Sequence, residues 1–162
     1  MRTLTYHEAT PGHHHQIAHS LENEDLTLYR RFGYGTSAFS EGWALYAERL
    51  ALEAGLAENP YDELGILQSE IFRAVRLVVD TGLHYKKWTR EEAMEYMKAI
   101  TGMSDTEVRV EIERYIVWPG QALSYKVGMI KILELREKAK TLLGDKFNIC
   151  LLYTSDAADD DH

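Results

Sequence analysis

The sequence has little cysteine, few positive charges and no long apolar run. Its only cysteine among 162 residues is Cys150, so a disulfide within the chain is excluded. No stretch reaches the roughly 18 consecutive apolar residues of a membrane-spanning helix, and no membrane segment is expected. Lysine and arginine number 18 against 26 aspartates and glutamates, which gives a net charge of −8. This balance excludes nucleic acid as a partner, because no basic stripe is present to replace the counterions of phosphate groups.

The C-terminal segment CLLYTSDAADDDH, residues 150–162, differs from the rest of the chain. It has no hydrophobic period and carries four aspartates without a compensating base. We predict that it is a non-native or disordered tail and that residues 1–149 form one unit. The chain is 45% hydrophobic, which is enough for that unit to bury one core.

Strand signals are also missing, because neither an Asn-Gly hairpin nor a run of alternating apolar and polar residues occurs. The pattern therefore predicts an all-α fold of about six helices, with a loop over residues 23–39. The helices are expected over about 5–20 with an interruption at Pro11-Gly12, from a cap at Ser40 to Gly55, over about 62–87, after capping boxes at Thr89 and at Ser104, and over about 121–144. In the long helix over 62–87 we expect a buried stripe of Ile66, Ile71, Ala74, Val75, Val78 and Val79.

The segment HEATPGHHHQ, residues 7–16, carries half of a zinc-peptidase motif. In the full motif, H-E-x-x-H, two histidines one helical turn apart face the metal and the glutamate activates water. His7 and Glu8 match the first two positions, but Pro11 stands where the second histidine is expected. Either the metal site is broken or vestigial, or it is built in another way.

A bulge at Pro11-Gly12 would restore the spacing. Proline removes a helical hydrogen bond and glycine accepts unusual backbone angles, so two extra residues there would bring His13 over His7. His14 would take that place if the bulge were one residue larger. On a straight helix His14 lies roughly 10 Å from His7 along the axis, too far for one zinc ion.

The segment SEGWALYAE offers a third ligand, since catalytic zinc usually has three from the protein. Glu41 lies 28 residues after His13, a spacing that resembles zinc peptidases whose third ligand is a glutamate on the next helix. Its alternative role is an ordinary acid in the first turn of a helix, favoured by the helix dipole. Glu48 shares a helical face with Glu41 and either orients a ligand histidine or is a solvated surface acid.

Four segments in this order, HEATPGHHHQ, SEGWALYAE, RLVVDTGLH and RYIVWPGQALSYKVG, resemble the C-terminal catalytic part of the bacterial domain of unknown function 885 family. That family is grouped with zincin-like metallopeptidases. The resemblance implies a zincin-like helical catalytic subdomain that binds Zn²⁺ and acts on peptides. Because chains of the family are several times longer, we expect this chain to be a fragment that lacks the N-terminal part of the fold.

The last two segments add further candidate residues. By the same resemblance, Tyr125 donates a hydrogen bond to the oxyanion, although a core tyrosine is an equal alternative. Arg114 either binds a substrate carboxylate or forms a structural salt bridge. Asp80 and His84, four residues apart, either form a pair that orients a metal ligand or lie on the helix surface.

These residues together predict a zinc-dependent peptide hydrolase. His7, His13 and Glu41 bind zinc, Glu8 moves a proton from water to the leaving amine, and Tyr125 stabilises the oxyanion. Two alternatives stay open, namely a non-enzymatic helical domain with a vestigial metal site and an inactive fragment that keeps the ligands. Location (cytoplasmic or periplasmic), oligomeric state and cleavage specificity have no signal in the sequence, because a targeting segment would lie upstream in the parent protein.

Overall fold

The computed structural model describes residues 2–33 and 35–149, and this part of the chain consists of helices and connecting loops without a strand. The predicted all-α fold is confirmed. The helices are α1 (Arg2–Glu8), α2 (His13–Glu22), α3 (Leu28–Phe32), α4 (Ser37–Glu53), α5 (Pro60–His84), α6 (Arg90–Thr101), α7 (Asp105–Val117) and α8 (Ser124–Leu143). Within these ranges, none of the helices combines the length and the apolarity that crossing a membrane requires. The prediction for residues 150–162 falls outside the described part of the chain.

Side-chain caps determine where most helices begin. Both predicted capping boxes are confirmed, since Thr89 and Ser104 each exchange hydrogen bonds with the glutamate three residues later. Helix α4 begins one turn earlier than the predicted Ser40, because the Thr36 hydroxyl accepts a hydrogen bond from the Phe39 backbone N–H. The predicted loop also contains the short helix α3, which Thr27 caps in the same way.

The core consists of two clusters of buried side chains. One lies where α5, α6 and α7 meet, and includes Val79, Met97, Ile112 and Tyr115. The other joins α4 to α8 and consists of Trp43, Leu45, Tyr46 and Met129. The first cluster holds the α5–α7 half together, and the second sets α4 against α8.

Two glycines allow α4 and α8 to touch. A side chain at Gly42 would overlap the backbone of Gly128, and one at Gly128 would overlap the Ala38 carbonyl. This close approach brings residues of the two helices to one place. The acids of α4 and Tyr125 of α8 therefore lie beside each other.

The predicted apolar stripe of α5 is only partly correct. Ile66, Val75 and Val79 are buried, but Ile71 and Val78 are exposed by 42% and 38%. Arg76 and Asp80 are buried instead. Helix α5 thus carries two charged residues on its inner face, where Arg76 bonds to α7 and Asp80 bonds to the Gly120 backbone in the turn before α8.

Candidate metal centre

The chain between α1 and α2 is a full break rather than the predicted bulge in one helix. Residues 9–12 are not helical, and the Pro11 carbonyl accepts a hydrogen bond of 2.8 Å from the Trp43 indole N–H of α4. Gly12 packs on the carbonyl of His7 so closely that a side chain would overlap it. The break turns α2 so that the rings of His7 and His13 meet edge to face, with their centroids 5.0 Å apart.

His7, His13 and Glu41 converge at this point, and we call these three residues the candidate metal centre. The Glu41 Oε2 atom lies 3.3 Å from His13 Nε2 and 3.7 Å from His7 Nε2. One ligand atom from each residue lies within 4.8 Å of the other two. Two ligands of one zinc ion, each about 2 Å from it, are separated by roughly 3 to 4 Å. The two distances from Glu41 match this separation, and the ligand atoms of the two histidines lie within 4.8 Å of each other.

Residues of helix α4 also contact the Nδ1 atoms of His7 and His13. His7 Nδ1 donates a hydrogen bond of 2.6 Å to Glu48 Oε1, and His13 Nδ1 lies 3.5 Å from the Ser40 hydroxyl. Such contacts orient a ligand histidine and leave its Nε2 atom for the metal. Glu48 is only 1% exposed, so the alternative of a solvated surface acid is wrong.

The charges of the centre favour a cation. Burial raises the pKa of Glu41, but the contacts with His13 and His7 outweigh it and lower that pKa to about 2. Burial lowers the pKa of His7, but hydrogen bonds to Glu41 and Glu48 outweigh it and raise that pKa. Glu41 is therefore ionised at neutral pH, and positive charge is stabilised at the His7 ring.

Tyr125 lies against the candidate metal centre. Its ring stacks on His7, with centroids 6.3 Å apart and an interplanar angle of 26°. The guanidinium carbons of Arg76 and Arg73, both on α5, lie 4.8 and 5.7 Å from the centroid of the same ring. Tyr125 thus lies beside both His7 and two buried or half-buried cations.

Glu8 and His14 are not brought into the group of three. Glu8 is the last residue of α1 and is exposed beside the buried His7. His14 is exposed in the first turn of α2, while its neighbour His13 faces Glu41. The size of the bulge left open whether His13 or His14 is the second ligand. The fold places His13 next to His7.

Arg114, Asp80 and His84 contact other parts of the structure. Arg114 donates hydrogen bonds to Glu111 and Gln121, as its salt-bridge alternative describes. Asp80 accepts from the Gly120 backbone N–H, and His84 Nε2 donates to the Tyr115 carbonyl at 2.9 Å. Asp80 and His84 therefore hold α5 to α7 and to the turn that precedes α8.

Sequence reasoning missed three residues near the centre, Ser40, Arg73 and Arg76. Ser40 was assigned a capping role and instead lies within α4, beside His13. Arg76 had a usable signal, because it interrupts an apolar stripe next to Val75 and is 5% exposed. Arg73 had none, since its position depends on how α5 packs near α8.

Comparisons with known proteins place the chain in one family. The family model described as "Bacterial protein of unknown function (DUF885)" matches residues 1–150. Among solved structures, the chain is similar to a "putative lipoprotein" from Colwellia psychrerythraea, with 57% identity and a TM-score of 0.87, over 94% of this chain and 26% of that one. It is also similar to a "putative lipoprotein of unknown function" from Shewanella oneidensis, with 31% identity and a TM-score of 0.82, over 91% and 27%. The chain spans about a quarter of the length of both structures, and no curated protein matches it.

Proposed function

The chain belongs to the bacterial DUF885 family of unknown function, and we propose that it carries the zinc site of a peptide hydrolase. The observation behind the proposal is the convergence of His7 Nε2, His13 Nε2 and the Glu41 carboxylate. Three ligands from the protein and an open position are the usual arrangement of a catalytic zinc site. A purely structural site would close the fourth position with another side chain.

The surrounding residues supply the rest of the proposed chemistry. A zinc ion held here would polarise the scissile carbonyl and make water a better nucleophile. Glu8, next to His7, takes the proton of the attacking water and passes it to the leaving amine. It has no ion pair with the described residues, so its carboxylate is available for that exchange. The Tyr125 hydroxyl donates a hydrogen bond to the oxyanion.

Glu8→Gln tests this function, and the experiment uses a parent protein as long as the solved relatives. The variant removes the proton acceptor and leaves the ligands, so it should keep one zinc per chain and lose about 10²- to 10⁴-fold in kcat. Glu22→Gln, an exposed acid at the end of α2, is the matched control and should behave as wild type. An active Glu8→Gln enzyme would refute the mechanism, and a wild type without zinc would favour the non-enzymatic alternative.

The two similar solved structures bear on location. Both are described as putative lipoproteins, which supports a periplasmic or envelope location for the parent protein rather than a cytoplasmic one. Fractionation of a bacterium that expresses the parent would test this. Recovery in the cytoplasmic fraction would contradict it.

A further inference from the structure

Arg73 is a cation without a carboxylate partner beside the candidate metal centre. Its Nη1 donates hydrogen bonds to the Ser69 hydroxyl at 2.6 Å and to the Ser69 carbonyl at 3.4 Å. Its Nε is buried and has no hydrogen-bond partner, and Arg73 forms no ion pair with any residue that the structure describes. Arg76, one turn further on, is by contrast paired with Glu111.

Arg73 and His7 of the candidate metal centre both lie beside the ring of Tyr125. The guanidinium carbon of Arg73 lies 5.7 Å from the Tyr125 ring centroid, and that ring stacks on His7 at 6.3 Å. Burial lowers the pKa of Arg73, while the charges of Glu48 and Glu41 act in the opposite direction. The cation is therefore within electrostatic reach of the centre without contacting either acid.

A guanidinium that lacks a carboxylate partner and lies near the candidate metal centre suits a ligand with a carboxylate group. Its planar fork of N–H donors matches the two oxygens of a carboxylate, and partial burial strengthens such a pair. Peptides carry one obligatory carboxylate, at their C-terminus. A peptide whose scissile bond lies at His7 and His13 could therefore place that carboxylate at Arg73.

We propose that Arg73 binds the free C-terminal carboxylate of the peptide, so that the site cleaves near the C-terminus. The inference rests on the proposed hydrolase function. The His7 ring and Arg73 both lie beside the Tyr125 ring, at 6.3 and 5.7 Å, so their separation is at most the length of three to four extended residues, at roughly 3.5 Å each. One water is consumed, the C–N bond breaks, and the products are a short C-terminal fragment with a new amine and a shortened peptide with a new carboxylate.

The test compares two peptides on zinc-loaded parent protein that carries Glu8→Gln, so that the peptide stays intact. N-acetyl-tetraalanine with a free C-terminus and the same peptide as a C-terminal amide are titrated by calorimetry. With Arg73 intact, the free acid should bind about 10- to 100-fold more tightly than the amide. In Arg73→Met the ratio should fall to about one with the zinc content unchanged, and in Arg73→Lys it should be intermediate. Arg109→Met, at an exposed arginine of α7, is the control and should keep the wild-type ratio.

Other outcomes would overturn the proposal. Equal binding of acid and amide with Arg73 intact, or an equal loss of both in Arg73→Met, would leave Arg73 a purely structural role. An amide peptide with an internal glutamate that binds as tightly as the free acid would show that side-chain carboxylates are the ligand. Strong preference for the acid without hydrolysis by wild-type parent would refute the hydrolase and leave the carboxylate subsite standing. Release of C-terminal fragments much longer than four residues would contradict the position of the subsite.

Discussion

Two clusters of polar side chains in this protein differ in how their charges are balanced. In the Glu111 cluster, one carboxylate accepts hydrogen bonds from Arg76, Arg114 and the Tyr115 hydroxyl. At the candidate metal centre and directly beside it, two carboxylates, Glu41 and Glu48, form ion pairs only with histidines among the residues described. The first cluster has more positive than negative charge, and the second has the reverse.

This difference separates a structural cluster from the one for which we propose metal binding. Buried carboxylates are costly unless cations or hydrogen-bond donors compensate them. The Glu111 cluster is compensated by the protein itself and joins α5 to α7. Beside the candidate metal centre, Glu48 has a buried oxygen without a hydrogen-bond partner among the described residues, so a bound cation would balance the negative charge there. The following changes test that contrast.

The largest effect on zinc affinity is expected when His13 is replaced. Its neighbour His14, which lies outside the centre, is the control. His13→Ala removes one of three ligands and should weaken zinc binding by about 10³-fold or more, because the total binding free energy of zinc sites, ~10–16 kcal/mol, is shared by few ligands. His14→Ala should leave zinc binding unchanged, since His14 is exposed. Zinc per chain and chelator competition measure both. Loss in His14→Ala alone would assign the ligand to His14, and retention in both variants would remove the proposed ligand set.

A smaller effect on zinc affinity is expected at Glu48, which contacts the proposed ligand His7. Glu48→Gln keeps the shape of the side chain but weakens its hold on His7 Nδ1, and zinc affinity should fall about 10- to 100-fold. Glu53→Gln is the control on the same helix, because Glu53 pairs with Arg136 and Arg49 instead. The same chelator competition measures both variants. If they changed zinc affinity equally, Glu48 would have no specific link to the centre.

The smallest effect is expected in the compensated cluster, and only on stability. Burial raises the pKa of Glu111, but its hydrogen bond with Tyr115 and the charge of Arg76 outweigh it and lower that pKa below its ordinary value of 4.5. Glu111 therefore stabilises the fold above pH 4.5, and this contribution is lost as the pH falls through its lowered pKa. Glu111→Gln should cost about 1–2 kcal/mol at pH 7, because a charge-assisted hydrogen bond becomes a neutral one.

Urea unfolding at pH 7 and at decreasing pH below 4.5 measures this difference between wild type and Glu111→Gln. The two free energies of unfolding should converge in acid, and zinc affinity at pH 7 should be unchanged. A change in zinc affinity as large as that of Glu48→Gln would mean that the two clusters are not separate in function.

Local signals in the sequence predicted the helices and much of the centre. The capping boxes at Thr89 and Ser104 depend on residues three positions apart, so they were predictable. The grouping of His7, His13 and Glu41 followed from motif spacing and family resemblance, and its zinc binding remains a prediction. The break at Pro11 was less predictable, because it depends on a hydrogen bond from Trp43 on another helix.

The two arginines show where sequence reasoning ends. Arg114 lies in a conspicuous motif and was the candidate for binding a carboxylate, yet it contacts Glu111 and Gln121. Arg73 lies in an unremarkable stretch of α5 and has no acid within ion-pair distance among the described residues. Which arginine has a partner depends on helix packing, and no spacing along the chain encodes it.

The central claim is that His7, His13 and Glu41 bind one zinc ion. Anomalous diffraction at the zinc edge, from crystals of the zinc-loaded protein, tests it most directly. We predict a single strong peak about 2.0–2.1 Å from both Nε2 atoms and about 2.0–2.2 Å from a Glu41 oxygen. A peak elsewhere, for example on His14 alone, or no peak between these three side chains, would contradict the account.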